Sequence, residues 1–267
     1  MNSEAKKRYS ENWIGVDWGS TNFRWWVVGK SGDIIHFGSS EAGIKNIASK
    51  KFESVLISEI NKFLEKDRTV KVFCCGMIGG RQGWRETKYL DVPCKPPNFL
   101  AANFVKTDDS RIEVFILPGI RQKSPEDVMR GEEIQIAGIL DLLPDFDGVI
   151  CLPGTHTKWV SISAGEIICF RTFMTGEVFS LLGEQSVLQH SIDHKSWDDT
   201  SFLFAVGESF SDSKLILSRL FHLRARSLFD EDLMKQNRSR LSGLLIGSEL
   251  SGARVFWLGQ NIMISGN

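Results

Sequence analysis

One short stretch occurs twice in this chain, and the repeat constrains the fold more than any other feature. Residues 20–25, Ser-Thr-Asn-Phe-Arg-Trp, align with residues 154–159, Gly-Thr-His-Thr-Lys-Trp, at a constant offset of 134. Each copy follows a short apolar segment and continues into a strand, a glycine turn and another strand. A spacing of 134 residues between the copies is longer than one unit of a solenoid protein. It therefore predicts two similar lobes, each presenting a hairpin to a shared cleft.

The first copy has the residue types of a phosphate-binding turn. Asp17 follows a short apolar strand, and the small residues 19–22 lead into the predicted strand Phe23–Val28. Glycine permits close approach of the backbone to a ligand, and successive turn N–H groups hold phosphate oxygens. An acid at this place can hold Mg²⁺, directly or through water. An ordinary β-hairpin with a polar tip is the alternative, and the repeat favours the phosphate turn.

The second copy predicts a second phosphate-binding turn. His156 is either a phosphate donor or a structural histidine. Arg24 and Lys158 lie at equivalent points of the two copies, and strand alternation leaves open whether they face phosphate or brace the lobes. The predicted phosphate-binding residues are Gly19, Ser20, Thr21, Asn22 and Arg24 in the first hairpin, and Gly154, Thr155, His156 and Lys158 in the second.

Composition excludes several classes of protein. The net charge of −1 offers no electrostatic argument for binding nucleic acid or a membrane surface. No apolar run reaches the ~18 residues of a membrane span, and the polar N-terminus shows no signal peptide. The five cysteines lack zinc-ligand spacing and lie mostly in apolar segments. The chain is therefore expected to be a cytoplasmic globular protein.

Apolar periodicity predicts the remaining elements. A period of about 3.6 predicts helices and continuous apolar runs predict buried strands. The predicted helices begin at Phe52, lead from Ile134 to Pro144, open at Thr175, follow Asp212 and cover Leu241–Leu250; the predicted strands are Val70–Cys75, Arg111–Leu117 and Arg254–Leu258.

Two further stretches carry candidate chemistry. In the glycine-rich segment after residue 75, Arg81 can hold a carboxylate with both guanidinium arms, Gln82 can bind hydroxyls and Trp84 can form an apolar wall. A surface loop with Trp84 packed beneath it is the alternative. In the segment 130–133, Glu132 or Glu133 can act as the base that accepts a hydroxyl proton. Acids that complement a helix dipole are the alternative there.

Six stretches together resemble the 2-dehydro-3-deoxygalactonokinase family. The resemblance runs from Trp13 to about Gly259, and its motifs are specific as a set. They are residues 17–24, DWGSTNFR; 76–84, GMIGGRQGW; 127–133, DVMRGEE; 152–159, LPGTHTKW; 174–177, MTGE; and 241–247, LSGLLIG.

The resemblance implies an α/β protein of the actin-like ATPase superfamily, with two ribonuclease H-like lobes around a central cleft. The lobes would be residues 12–126 and 127–267. ATP would phosphorylate the 6-hydroxyl of a six-carbon 2-keto-3-deoxy sugar acid in galactonate catabolism. Asp17 would hold Mg²⁺, Arg81 the substrate carboxylate, and Glu133 or Glu132 the attacking hydroxyl, with Asp127 the next candidate.

The C-terminus departs from the family pattern. Family members carry more chain after the strand that would match Arg254–Leu258, in a region that helps to hold adenine. The second lobe is therefore expected to be short at its C-terminus. Two alternatives stay open: a kinase of a neutral sugar in the same superfamily, and a non-catalytic relative that binds a sugar acid.

Overall fold

In this computed structural model, residues 12–48 and 51–266 are described. By their contacts they form two compact units. The first runs to Phe146 and includes Ser163–Cys169; the second comprises Asp147–Ile162 and the residues from Phe170 onwards. The division into lobes at residue 126 stays a prediction. Among the described residues no helix is both long and apolar enough to cross a bilayer.

The first unit is built on a six-stranded sheet with the order β3-β2-β1-β4-β7-β6. β2 and β3 pair antiparallel to β1 in a meander, whereas β4 lies parallel to β1 and β7 parallel to β4. The strands are β1 Trp13–Trp18, β2 Phe23–Val28, β3 Ile34–Ser40, β4 Val70–Cys75, β6 Asn103–Val105 and β7 Ile112–Ile116. The predicted strands of this unit are confirmed.

Alternation along β1 and β2 explains the core of this unit. Side chains of a strand point to opposite faces in turn, so Val16 and Trp18 of β1 are buried while Asp17 between them is not. Helix α1, Phe52–Ile60, covers the sheet with Phe52, whose ring meets that of Trp18 edge-on at 5.7 Å. The alternation therefore leaves Asp17 available for chemistry at the end of a rigid strand.

A three-stranded sheet inserted after β4 was not predicted. Its order is β5-β8-β9, and the strands are β5 Leu90–Asp91, β8 Ile120–Lys123 and β9 Glu126–Met129. β8 and β9 form a hairpin in which Ile120 pairs with Met129. Helix α2, Glu132–Leu142, begins three residues after β9. The hairpin thus sets where α2 starts, and with it the paired glutamates.

The second sheet repeats the order of the strands β3-β2-β1-β4 of the first sheet. Its order is β12-β11-β10-β13, a three-stranded antiparallel meander with β13 parallel to β10. The strands are β10 Gly148–Leu152, β11 Thr157–Ser163, β12 Glu166–Phe173 and β13 Ile262–Ile264. β2 and β11 begin 134 residues apart, at Phe23 and Thr157. The internal repeat in the sequence is therefore a repeat of structure.

Helices make up most of the rest of the second unit. They are α3 Thr175–Gln185, α4 Asp199–Ser211, α5 Ile216–Phe229, α6 Met234–Gly252 and α7 Arg254–Trp257. The strand predicted over Arg254–Leu258 is wrong, because these residues form α7, and the fourth strand of the sheet is β13. The helix predicted after Asp212 is α5, in which Leu220 and Leu223 are buried and Leu228 is exposed.

Candidate active site

Asp17 and Arg24 form an ion pair at the tip of the first hairpin. They face each other across β1 and β2, and Arg24 Nη2 lies 2.6 Å from Asp17 Oδ2. Arg24 Nε is buried and has no hydrogen-bond partner. Arg24 therefore orients the carboxylate of Asp17 in this structure, and phosphate binding by Arg24 stays a prediction.

Two glycines surround the other carboxylate oxygen of Asp17. Gly76 has a φ of +88°, and a Cβ there would lie 3.1 Å from Asp17 Oδ1. Gly131 has a φ of +116°, and its Cβ would lie 3.4 Å from the Cα of Gly76 and 4.0 Å from Asp17 Oδ1. Both backbones adopt conformations that L side chains disfavour. Glycine at both positions therefore keeps the space beside Oδ1 clear.

Glu133 is a fully buried carboxyl group in the first turn of α2. Its Oε2 accepts a hydrogen bond of 2.7 Å from Gly131 N, whereas Oε1 is buried without a partner. Burial raises the pKa of Glu133 to about 8, and the nearby charge of Glu132 adds to this rise. Hydrogen bonds from the backbone of Glu133 and Gly131 oppose it, as does the charge of Arg130 to a smaller extent. An unpartnered buried oxygen costs free energy, so its presence at the helix start suits a group that receives a ligand.

Glu133 and Asp17 both lie near Cys75. The thiol of Cys75 lies opposite Asp17 in the parallel pairing of β1 with β4. Burial raises the pKa of Cys75 well above its usual value, and the negative charges of Asp17 and Glu133 both raise it further. Both carboxylates are therefore close enough to Cys75 for their charges to act on it.

The other two predicted acids lie in different surroundings. Glu132 Oε2 accepts a hydrogen bond of 3.0 Å from Arg130 N, so this side chain caps the start of α2. Asp127 lies on β9, and its Oδ1 accepts from Val128 N. The side chain of Glu132 is bonded at the start of α2, and that of Asp127 is bonded within the β8–β9 hairpin. Glu133 is therefore the strongest candidate for a base.

The segment proposed to bind a carboxylate is a compact loop at the end of β4. Arg81 is 91% exposed, and its Nε lies 3.5 Å from Glu86 Oε1. Gln82 is exposed as well. Trp84 is half-buried and stacks over Phe52 with ring centroids 6.4 Å apart. Trp84 is therefore packed beneath the loop, as in the alternative interpretation, while the roles of Arg81 and Gln82 stay predictions.

The turn between β1 and β2 is held by its carbonyl groups. The carbonyl oxygens of Gly19, Ser20 and Thr21 accept backbone hydrogen bonds from residues 43–45. A Cβ on Gly43 would lie 2.2 Å from the carbonyl carbon of Thr21, so only glycine fits there. Three backbone hydrogen bonds therefore fix the path of the predicted phosphate turn.

In the second hairpin, the predicted phosphate ligands have partners of their own. His156 Nε2 lies 2.6 Å from Glu177 Oε2 in the first turn of α3. Lys158 is buried, and its Nζ donates to Thr172 Oγ1 at 2.8 Å. Lys158 thus braces β11 against β12. Phosphate binding by the two side chains stays a prediction.

The start of α3 packs directly on the second hairpin turn. Glu177 N donates to Thr155 O at 3.0 Å. A Cβ on Gly176 would lie 2.5 Å from Gly154 O, so glycine is required for this contact. The turn and the N-terminus of a helix therefore lie together, an arrangement that favours anions.

An apolar cavity of about 380 Å³ opens beside this turn. Its polar wall is Glu249, a buried residue that the sequence analysis missed, which accepts from Trp159 Nε1 at 2.9 Å and from Thr175 Oγ1. Other lining residues are Cys151, Pro153, Gly154, Thr157, Gly176, Phe179, Ser242, Leu245, Ile246, Leu250 and Ile264. Mostly apolar pockets with a few fixed polar groups are typical sites for small ligands.

Comparison with known proteins gives consistent results. The family described as 2-keto-3-deoxy-galactonokinase matches residues 17–267. The 2-dehydro-3-deoxygalactonokinase of Escherichia coli (strain K12) is 33% identical over 246 residues, 91% of this chain and 80% of the relative. A protein of Rhizobium meliloti (strain 1021), named as a proposed 2-dehydro-3-deoxygalactonokinase, is 32% identical over 246 residues, 90% of this chain and 80% of that protein.

A solved structure shares the fold. The crystal structure of a proposed 2-dehydro-3-deoxygalactonokinase from Sinorhizobium meliloti superposes with a TM-score of 0.84 at 28% identity, covering 95% of this chain and 93% of that chain. The predicted fold class, α/β with two ribonuclease H-like lobes of the actin-like ATPase type, is confirmed. Within that class, the chain belongs to the 2-keto-3-deoxy-galactonokinase family.

Proposed function

We propose that this chain is an ATP-dependent kinase that phosphorylates 2-dehydro-3-deoxy-D-galactonate on its 6-hydroxyl group, a step of galactonate catabolism. Membership of the family and the names of its relatives support the reaction. The observation that carries the chemistry is the buried carboxyl of Glu133, with one unpartnered oxygen, in the neighbourhood of Asp17. Phosphoryl transfer requires a positioned acceptor and neutralised charge, and these two residues suit the two tasks.

Glu133 would accept the proton of the attacking hydroxyl. A base with a pKa near the working pH combines a useful deprotonated fraction with sufficient basicity. Burial places Glu133 in that range, at about 8. Its Oε1 is the atom without a partner, so it is the oxygen to which the sugar hydroxyl would donate.

Asp17 fits a magnesium ion that arrives with a nucleotide. No group of three potential metal-ligand side chains occurs within residues 12–48 and 51–266. Mg²⁺ bound with substrate phosphates commonly keeps several waters and takes only one or two carboxylates. Asp17 Oδ1 beside Gly76 and Gly131 meets that requirement. The ion would neutralise developing charge on the phosphates, while Arg24 keeps the Asp17 carboxylate oriented.

The second unit would bind the nucleoside of ATP in the 380 Å³ cavity. Its apolar walls suit a purine ring, and the carboxylate of Glu249 offers hydrogen-bond acceptors. The turn at residues 154–157, beside the start of α3, would then receive phosphate oxygens.

Ile246→Trp should test this nucleotide site. The larger side chain fills the cavity, so we expect the KM for ATP to rise at least about tenfold, a loss of about 1.4 kcal/mol in binding. Since Ile246 lines this cavity in the second unit, the KM for the sugar acid should change little. Val255→Trp, at an exposed position of α7, is the matched control. A KM for ATP equal to that of the control would place the nucleoside elsewhere.

The proposed reaction is tested by ADP release with a panel of acceptors. We expect turnover with 2-keto-3-deoxy sugar acids and none with the corresponding neutral sugars. Turnover with neutral sugars alone would favour a different kinase of the superfamily. Thermal stabilisation by a sugar acid without ADP release under any condition would favour a non-catalytic binding protein.

Arg81→Lys tests the acid specificity at one residue. Arg81 is almost fully exposed and held only by a solvent-exposed ion pair, which is worth little, so it is free to turn to a carboxylate. Lysine cannot reproduce a planar, two-armed contact, and a hydrogen bond to a charged group contributes roughly 1.5–3 kcal/mol. We expect the KM for the sugar acid to rise at least about tenfold and the KM for ATP to stay nearly unchanged.

Arg85→Lys is the matched control for this variant. Arg85 is exposed in the same loop, where its Nη1 donates to Phe104 O at 2.6 Å. If Arg81→Lys weakened the binding of ATP instead of that of the sugar acid, Arg81 would be assigned to phosphate binding.

A further inference from the structure

Arg130 is a buried cation with an unusual set of partners. Arg130 stands between β9 and α2 in the chain, and the residue is only 9% exposed. Nη1 donates to Thr87 Oγ1 at 2.6 Å, Nη2 to Thr87 O at 3.0 Å, and Nε to Tyr89 Oη at 3.4 Å. The guanidinium also lies 4.2 Å from the centre of the Tyr89 ring. All three hydrogen-bond acceptors are uncharged, and the carboxyl group of Glu133 is near enough for the charge of Arg130 to lower its pKa.

These partners close the base of the Gly76–Glu86 loop. Thr87 follows the loop directly, and its N–H group donates to Gly79 O at 3.0 Å. Gly79 itself lies against the guanidinium: a Cβ there would be 2.7 Å from Arg130 Nη1 and 2.8 Å from Thr87 Oγ1. Arg130 therefore touches the loop at its middle and at its end.

The backbone of the same residue forms the turn that carries Glu133. Arg130 N donates to Glu132 Oε2 and Gly131 N to Glu133 Oε2. Because Gly131 has a φ of +116°, the chain changes direction between Arg130 and the first residue of α2. One residue is thus joined by its side chain to the loop and by its backbone to Glu133.

We propose that Arg130 is a positioning residue that locks the Gly76–Glu86 loop to the start of α2, and so sets the sugar acid held by the loop against Glu133. The proposal rests on the proposed function for the identity of the ligand. Arg130 has no contact with the reacting groups in this role. Its forked, planar head spans two atoms of Thr87 at once, which a single ammonium group cannot do with the same geometry.

Arg130→Lys tests the lock in two independent ways. We expect the KM for the sugar acid to rise at least about tenfold and kcat to fall, since misplacement of the acceptor by an ångström lowers the rate steeply. The KM for ATP should stay within about twofold. Amide hydrogen exchange in residues 76–88 should become at least about tenfold faster, because the base of the loop opens locally.

Arg121→Lys is the matched control. Arg121 lies on β8 of the three-stranded sheet that precedes Arg130. Its Nε pairs with Asp91 Oδ1 at 2.6 Å, at an exposed position. Its replacement should leave loop exchange and both KM values unchanged. If Arg130→Lys does not fold, Thr87→Val removes the hydroxyl acceptor alone and should reproduce the effects, while Thr87→Ser, which keeps the hydroxyl, should restore them.

The outcomes separate this proposal from the proposed function. Faster amide exchange of residues 76–88 in Arg130→Lys, with kcat and KM unchanged, would overturn the positioning role. Unchanged amide exchange would show that Arg130 does not hold the loop at all. If the wild-type protein turned over no sugar acid, the proposed function would fail, while the exchange experiment would still report whether Arg130 holds the loop.

Discussion

Replacing Asp17 by asparagine should lower kcat by about 10³-fold or more while the fold is kept. A metal ion that neutralises charge on the transferred phosphoryl group is worth several kcal/mol, and each 1.36 kcal/mol corresponds to tenfold in rate. Asparagine keeps the shape of the side chain but loses the negative charge that holds the ion. Turnover at saturating ATP and sugar acid over a range of Mg²⁺ concentrations measures the effect.

Asp33→Asn is the control for this variant. Asp33 lies in the exposed turn after β2, where its Oδ2 accepts from Ser31 Oγ at 2.5 Å, and its replacement should leave kcat unchanged. Circular dichroism and the melting temperature establish that both variants are folded. A folded Asp17→Asn variant with near-normal turnover at low Mg²⁺ would remove the metal role from this residue.

Replacing Glu133 by glutamine should lower kcat by roughly 10²–10⁴-fold, the usual contribution of a general base. A base acts in the transition state, so the KM for the sugar acid should change little. Glu132→Gln is the matched control and should be milder, because adjacent residues of a helix point about 100° apart and Glu132 caps the helix. If both variants kept full kcat, the base would lie elsewhere, with Asp127 the next candidate.

The pH dependence of the wild-type protein gives the same residue a second readout. The active form of the base is the carboxylate, and burial raises the pKa of Glu133 to about 8. Hence kcat/KM, which reports groups of the free enzyme, should rise with pH through about 8 and level off above it. In the Glu133→Gln variant this rise of kcat/KM with pH should disappear. If the rise persisted in the variant, it would come from the titration of another group.

The local pattern of the sequence was sufficient for the central strands. β2 and β4 begin and end at the predicted residues, because each is a short apolar run bounded by polar turns or glycine. The same reasoning failed at Arg254–Leu258. A short apolar run of this kind fits either a strand or a buried helix turn, and here it forms α7. The pairing of β13 with β10, more than a hundred residues earlier, provided the fourth strand.

The connections around Arg130 lay beyond sequence reasoning for a similar reason. Its partner Thr87 is 43 residues away, and neither residue belongs to a periodic pattern that would bring them together. The hairpin of β8 and β9 makes that contact, and short strands of four residues leave little trace in apolar periodicity. Glu249 was missed likewise, since a single acid in a long helix is indistinguishable from a surface charge until its neighbours are known.

By itself the sequence determined the residue types and their local order: an acid after a strand, a turn of small residues, the repeat of that hairpin, and two adjacent glutamates. Only the tertiary structure decided that Glu133 is buried with a free oxygen while Glu132 caps α2, and that Asp17 Oδ1 faces Gly76 and Gly131. The physical reason is that the pKa and accessibility of a carboxyl group depend on desolvation and nearby charge, which are supplied here by segments far apart in the chain.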